Sequence, residues 1–335
     1  MDIPMKKIIN DVNNIILEEL QGMQKAYSNI LKINYDPIYV TRVNKNSKVS
    51  LISGGGSGHE PLHAGFVGYG MLDAACPGEI FTSPTPDQME EAAKSINNDK
   101  GIIFLVKNYT GDVMNFQMAE DLCKAEGIDV RSIIIDDDVS VKDSLYTTGR
   151  RGVGATVFFE KICGASAERG DDINKVLEYA NYCKENARSM GMALTSCTVP
   201  AVGKPTFDIS DNEIEMGIGI HGEPGRERIN IKTSSEIAEM MMEAICSDIP
   251  YKNGDELICM VNGMGATPLM ELYILYNDVV KITEKKGIKI VRNLIGNYVT
   301  SIDMSGASIS LMKVNDDILK LWDYPVYTAA LRWGI

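Results

Sequence analysis

The densest concentration of chemistry in the chain is Ser53-Gly54-Gly55-Gly56-Ser57-Gly58-His59-Glu60-Pro61-Leu62-His63, with four glycines in the five residues that precede His59. A backbone with so few Cβ atoms can approach a ligand closely and adopt positive φ. Its N–H groups can hold an oxygen-rich substrate or a phosphate. No Gly-Lys-Ser/Thr follows, so this is not a Walker A loop. A tight strand-to-helix turn would explain the glycines alone; the histidine that follows at once favours a ligand site. The segment also spells H-E-x-x-H, which on a helix would let His59 and His63 share zinc with Glu60 as base. Here His59 stands at a helix start rather than inside one, Pro61 fits only a first turn, and no third ligand is evident. No metal site is therefore read, and His63 is expected to be a helix residue hydrogen-bonded within the core.

The remaining histidine, His221, closes Gly217-Ile218-Gly219-Ile220-His221-Gly222. This spells G-x-G-x-x-G, but Glu223-Pro224-Gly225 reads as a turn, and the dinucleotide fingerprint needs a helix N-terminus there. What survives is a histidine at the end of an apolar strand, expected over residues 216–221, facing a cleft. A third polar stretch, Lys107-Asn108-Tyr109-Thr110-Gly111-Asp112, joins an apolar strand to a helix carrying Phe116, Ala119, Leu122 and Cys123. Asp112 is either that helix's N-cap, a place that Thr110 or Gly111 could take instead, or a functional acid. Asp136-Asp137-Asp138 is expected to be a solvated loop rather than a Mg²⁺ site. Arg150-Arg151 reads equally as a surface pair or as a site for phosphate or a partner's acid.

The elements that must position these residues follow from apolar spacing. Ile8, Ile9, Val12, Ile15, Ile16, Leu20 and Met23 recur at helical intervals over residues 6–28. Short apolar strands over 49–52, 102–106 and 133–135 each run into one of the polar segments, and helices lie between them. Thr85-Pro86-Asp87-Gln88 and Thr233-Ser234-Ser235-Glu236 are capping boxes that open two helices. Met240, Met241 and Met242 read as core or interface filling. Alternating strands and helices predict an α/β fold of two α/β domains, with mostly parallel or mixed sheets flanked by helices. Ligands in such sheets bind beyond the carboxyl ends of the strands. A further helix over about 172–188, ending near Gly191, suggests a domain boundary near 188–191.

Composition narrows the function. The chain has 335 residues, 33 Lys plus Arg against 46 Asp plus Glu, and a formal charge of −13. Such an acidic surface makes nucleic acid and anionic membrane poor partners. No apolar run approaches a membrane span, and the N-terminus, interrupted by acids and amides, is not a signal peptide. Seven widely spaced cysteines with no CxxC suggest reduced thiols in the cytoplasm.

With these residues in view, the chain resembles the K-subunit family of dihydroxyacetone kinases from end to end. The resemblance rests on residues 54–61, 81–88, 107–116, 143–152, 217–225, 262–268 and 322–334. It implies a homodimer and two domains, the first formed by 1–188 with 322–335 and the second by 189–321. It places the family's covalent histidine on His221, its hydrogen-bonding histidine on His59 and its acidic residue on Asp112. Its substrate contacts fall on Gly56, Ser57, Gly58, His59, Lys107, Asp112 and His221. In the family, dihydroxyacetone is held as a hemiaminal on the histidine and phosphorylated to dihydroxyacetone phosphate. The chain ends just after the K-type ending, so no cofactor is expected on it; ADP and Mg²⁺ are expected on a separate L subunit, recharged by a phosphotransferase-system protein or by ATP. Erythrulose and other short ketoses are alternative substrates. K-like paralogues that sense the ketone and act as coactivators of a transcription regulator are the alternative function.

Overall fold

A computed structural model describes residues 6–142 and 147–335. The Asp143-Ser144-Leu145-Tyr146 part of the 143–152 motif lies outside them. The first six-stranded sheet has the order β1 (Leu31–Tyr35), β2 (Ile38–Arg42), β5 (Ala74–Ile80), β3 (Ser50–Ser57), β6 (Ile102–Lys107) and β7 (Val130–Ile135). The last four strands are parallel and the β1–β2 hairpin adds an antiparallel edge. β6 is buried throughout, and its side chains alternate between two cores. Ile102, Phe104 and Val106 meet α2 (Pro86–Ile96) and α3 (Thr110–Ala125). Ile103 and Leu105 belong instead with α4 (Thr156–Glu168) and α5 (Ile173–Asn186). Covering both faces requires the continuous apolar strands seen in the sequence.

The second sheet has the order β10 (Glu227–Asn230), β9 (Glu213–Met216), β8 (Ala187–Ala193), β13 (Gly306–Lys313), β11 (Glu256–Gly263) and β12 (Lys289–Gly296). Only β11 and β12 are parallel, joined by the crossover helix α7 (Leu269–Lys285); the other pairs are antiparallel. This sheet is thus mixed rather than mostly parallel. α6 (Ser234–Asp248) and α7 cover one face, where Met241 and Met242 fill the core. From the other face Ile258, Met260 and Met312 join the core of the first sheet. The chain crosses between the sheets at β8, so residues 188 and 189 both lie inside a strand. After α8 (Asp316–Asp323), β14 (Val326–Thr328) pairs with β15 (Arg332–Trp333) and with β4 (Gly68–Tyr69). Trp322 packs edge-on against Phe158 of α4.

Both capping boxes form: the Thr85 N–H donates to Gln88 Oε1 at 2.9 Å, and the Thr233 N–H to Glu236 Oε2 at 2.9 Å. The first helix differs from expectation. α1 spans Ile15–Ala26, after a single 3₁₀ turn at Val12–Asn14 capped by Asp11, whose carboxylate accepts the Asn13 N–H at 2.9 Å. That local bond competes with helical pairing and leaves Ile8 outside the helix and exposed. The strand expected over residues 216–221 ends at Met216. Gly217 at φ +81° and Gly222 at φ +78° turn the chain away from the sheet, so His221 stands on a loop. All seven cysteines are free thiols. Among the described residues no helix is long and apolar enough to cross a membrane.

Candidate functional site

The glycines are strand, not loop: Gly54, Gly55 and Gly56 are the last paired residues of β3 before a register shift at Ser57. Neighbours explain why they lack side chains. A Cβ on Gly54 would meet the Cys76 carbonyl of β5, and one on Gly56 the backbone of Phe81 and Thr82. A Cβ on Gly55 would collide with Lys107 Nζ and approach Asp112. The glycines therefore admit a lysine and a carboxylate beside the strand end. Ser57 Oγ donates to the Gly78 carbonyl at 2.7 Å, and the Gly58 N–H is taken by the Glu60 carboxylate at 2.9 Å.

Lys107, the last residue of β6, is fully buried. Its Nζ donates to the Gly54 carbonyl at 3.1 Å and to His63 Nε2 at 2.9 Å, and pairs with Asp112 Oδ2 at 3.5 Å. Asp112 is not an N-cap. Tyr109 takes the cap of α3, which leaves Asp112 in the first turn, buried, with its carboxylate beside Lys107. His63 begins no α-helix: it precedes a 3₁₀ turn at Ala64–Phe66. Its burial and hydrogen bonding in the core are as expected, with Nδ1 at 2.6 Å from Glu160 Oε1. His59 and His63 share no helix face, and no cluster of metal-binding side chains occurs among the described residues.

His59 is buried, and its Nδ1 donates to the Thr300 carbonyl at 2.7 Å. Its Nε2 has no partner. Burial, reinforced by His221 and the Lys107 charge, holds its pKa well below the usual histidine value. His59 is thus a neutral ring with a free lone pair at Nε2. His221 crosses it edge-on, centroids 4.7 Å apart. Glu223 accepts the His221 backbone N–H at 2.9 Å through Oε2 and faces Nδ1 at 2.9 Å through Oε1. Burial opposes ionisation of Glu223, but His221 and Arg151 prevail and hold its pKa at about 2. An anionic Glu223 keeps the proton on Nδ1 and leaves the His221 Nε2 lone pair outward. Phe81 and Tyr109 complete the wall, each edge-on to His221 at 5.1 and 4.6 Å. Phe81 also stacks on His59, from a left-handed backbone at φ +57°.

The site thus gathers His59, Lys107, Asp112 and His221 from segments far apart in the chain, and the His59 and Asp112 sides are joined through Gly55 and Lys107. The acidic run after β7 lies elsewhere. Two of its three residues are buried rather than solvated: Asp137 accepts the Val153 and Ala155 N–H groups at 2.8 Å each, and Asp138 pairs with Arg151 at 2.7 Å, while Asp136 stays partly exposed. Arg151 is fully buried and donates to the Gly217 carbonyl at 2.7 Å, so it props the His221 loop. Arg150 pairs with Asp248 at 2.9 Å. Sequence reasoning missed Glu223, Phe81 and Thr300. Phe81 and Glu223 left a trace, since both stand in stretches that carry the family resemblance, but neither had been given a role.

Comparison with known proteins agrees with this architecture. The Dak1 domain matches residues 21–330. The PEP-dependent dihydroxyacetone kinase, dihydroxyacetone-binding subunit DhaK, of Escherichia coli (strain K12) is 47% identical, over 98% of this chain and 100% of that protein. The PTS-dependent dihydroxyacetone kinase, dihydroxyacetone-binding subunit DhaK, of Lactococcus lactis subsp. lactis (strain IL1403) is also 47% identical, over 98% of this chain and 99% of that protein. The solved structure of the dihydroxyacetone kinase operon co-activator Dha-DhaQ superposes with a TM-score of 0.88 at 35% identity, covering 96% of this chain and 98% of that one. With the expected fold in place and matches over nearly its whole length, the chain belongs to the Dak1 family.

Proposed function

We propose that this chain is the substrate-binding subunit of a dihydroxyacetone kinase. It binds the ketone as a hemiaminal on His221 and presents a terminal hydroxyl for phosphoryl transfer, giving dihydroxyacetone phosphate. The observation that carries this is the facing pair of imidazoles, each with Nδ1 engaged, and with His59 Nε2 unpartnered. The names of the relatives at 47% identity support the substrate.

The His221 Nε2 lone pair attacks the carbonyl carbon and the carbonyl π pair moves to oxygen. The ring gives up its Nδ1 proton towards Glu223 and the new oxyanion takes one from solvent water, so that overall one proton passes from ring to oxygen and the adduct contains the whole ketone. His59 Nε2 accepts a hydrogen bond from a hydroxyl of the adduct. The tether reduces the entropic barrier to transfer, and Asp112 accepts the terminal hydroxyl's proton as the phosphoryl group arrives. Glycerol, which lacks a carbonyl, cannot make this bond. Residues 1–188 with 322–335 would supply His59, Lys107 and Asp112, and residues 189–321 would supply His221 and Glu223. The donor belongs on a separate L subunit that holds ADP with Mg²⁺: once recharged, that nucleotide gives up its terminal phosphoryl group and ADP is left behind. A homodimer in the cytoplasm completes the reading; the free thiols are in keeping with that location.

The likeness to a co-activator supports a second reading, ketone sensing on behalf of a transcription regulator. Asp112 beside Lys107 favours the kinase, because transfer needs a base and sensing does not. The test is intact-protein mass spectrometry with dihydroxyacetone, together with a crystal soaked in the ketone. An increase by the full mass of the ketone and density continuous with His221 Nε2 are expected, and His221→Ala should abolish both. Loss of water from the adduct, or a bond to Lys107, would refute the hemiaminal. Transfer with an L subunit then separates kinase from sensor.

A further inference from the structure

The H-E-x-x-H segment contributes a second histidine that the mechanism does not use. His63 is buried behind Lys107, and Glu160 of α4 is fully buried behind His63. Distances of 2.9 Å from Lys107 Nζ to His63 Nε2 and 2.6 Å from His63 Nδ1 to Glu160 Oε1 make one continuous line. Lys107 has three N–H groups, and three acceptors surround it: the Gly54 carbonyl, His63 Nε2 and the Asp112 carboxylate.

Donation from Lys107 requires a lone pair on His63 Nε2, so the ring proton sits on Nδ1 and is given to Glu160 Oε1. Burial, the Lys107 charge and His59 hold His63 well below the usual histidine pKa, which keeps it neutral. Burial raises the Glu160 carboxyl well above the usual range, against the pull of Lys107. Its unpartnered Oε2 leaves room for a proton there, so Oε1 accepts from His63 whether or not Glu160 is ionised.

We propose that His63 and Glu160 are positioning residues for phosphoryl transfer: by fixing the ring tautomer of His63 they anchor Lys107 Nζ, and Lys107 in turn aims Asp112 at the substrate hydroxyl. The proposal rests on the kinase reading above. It assigns the pair no part in holding the ketone, which is the task of His221 and His59.

The experiment measures transfer to dihydroxyacetone by the full chain with a phosphoryl-loaded L subunit, and ketone binding by the same samples. His63→Leu and Glu160→Met remove an acceptor while keeping bulk. Each should lower kcat by about tenfold to a hundredfold, the scale for a misplaced reacting group, with ketone binding and the His221 adduct preserved. His63→Gln and Glu160→Gln restore an acceptor oxygen and should recover most of that loss. Full turnover in the apolar variants would overturn the proposal. So would Gln variants as impaired as the apolar ones, because shape rather than an acceptor would then matter. A fall in ketone binding equal to the fall in turnover would also overturn it. Wild-type chain that binds ketone but never passes it phosphate refutes the kinase reading itself, and this inference with it.

Discussion

Asp112 and Glu223 are both buried carboxylates at one site, yet their partners differ. Asp112 faces an ammonium and Glu223 faces an imidazole. Asp112→Asn keeps the size of the side chain but cannot take a proton. Ketone binding should persist while phosphoryl transfer falls by ~10² or more, the usual scale for a lost general base; titration and single-turnover transfer on the same sample check both halves. Glu223 carries a linkage signature. Its pKa in the fold, about 2, lies below its unfolded value, so its stabilisation is present above the unfolded pKa and is lost as pH falls through about 2. Glu223→Gln should therefore be less stable than wild type near pH 7, by on the order of 3 kcal/mol. The gap should close as the solution is acidified, which urea denaturation at a series of pH values measures. A constant gap would show that Glu223 acts through packing alone.

Strand ends do the positioning at the next scale. β3 brings its glycines so close to β5 and to the Phe81 turn that even a methyl group meets backbone. Gly54→Ala should cost roughly 1–3 kcal/mol of stability, the range for overpacking a tight core, because the Cys76 carbonyl opposite is held in the sheet and cannot yield. Gly55→Ala meets a different obstacle, the flexible end of Lys107. It should cost stability as well, because Gly55 stands at φ +157°, but it should impair transfer beyond what Gly54→Ala does, since displaced Lys107 no longer sits against Asp112. Comparing denaturation midpoints with turnover for the two variants separates a sheet defect from a site defect; equal profiles would contradict this account. α3 shows the same division of labour. Phe116, Ala119 and Cys123 are buried, while Met114, Met118 and Leu122 face outward, so the helix is anchored by one face as its first turn delivers Asp112.

Over the whole molecule, the two large sheets share a core, and the site is closed by a loop from the second. The Thr300 and Ile302 N–H groups donate to the His59 and Gly58 carbonyls at 3.2 and 2.8 Å, while the Thr300 carbonyl fixes the His59 ring. Binding of the ketone and transfer of phosphate are separable at this scale. The purified chain should bind dihydroxyacetone but transfer nothing from ATP, and addition of an L subunit with its donor should start turnover. Vigorous ATP-dependent phosphorylation by the single chain would overturn the two-subunit proposal; sedimentation of the same sample tests for the homodimer.

The sequence by itself determined the α/β class, three strands of the first sheet (β3, β6 and β7), both capping boxes and the places where polar segments interrupt apolar ones. Those features are local: continuous apolar runs, period and cap chemistry act over a few residues and survive in any tertiary setting. It also brought forward His59 and His221 through residue type and neighbouring glycines, left Asp112 open between cap and functional acid, and reached Lys107 through the family resemblance. Tertiary structure alone decided that Asp112 is not a cap, that Arg151 and the Asp137-Asp138 pair are interior, and that His221 leaves the sheet on a loop. It alone set Glu223 beneath His221, and His63 with Glu160 behind Lys107. His63 and Glu160 are 97 residues apart in the chain. No spacing rule spans such a separation; the contact exists because α4 packs against the face of β3 and β6 and carries Glu160 into the core.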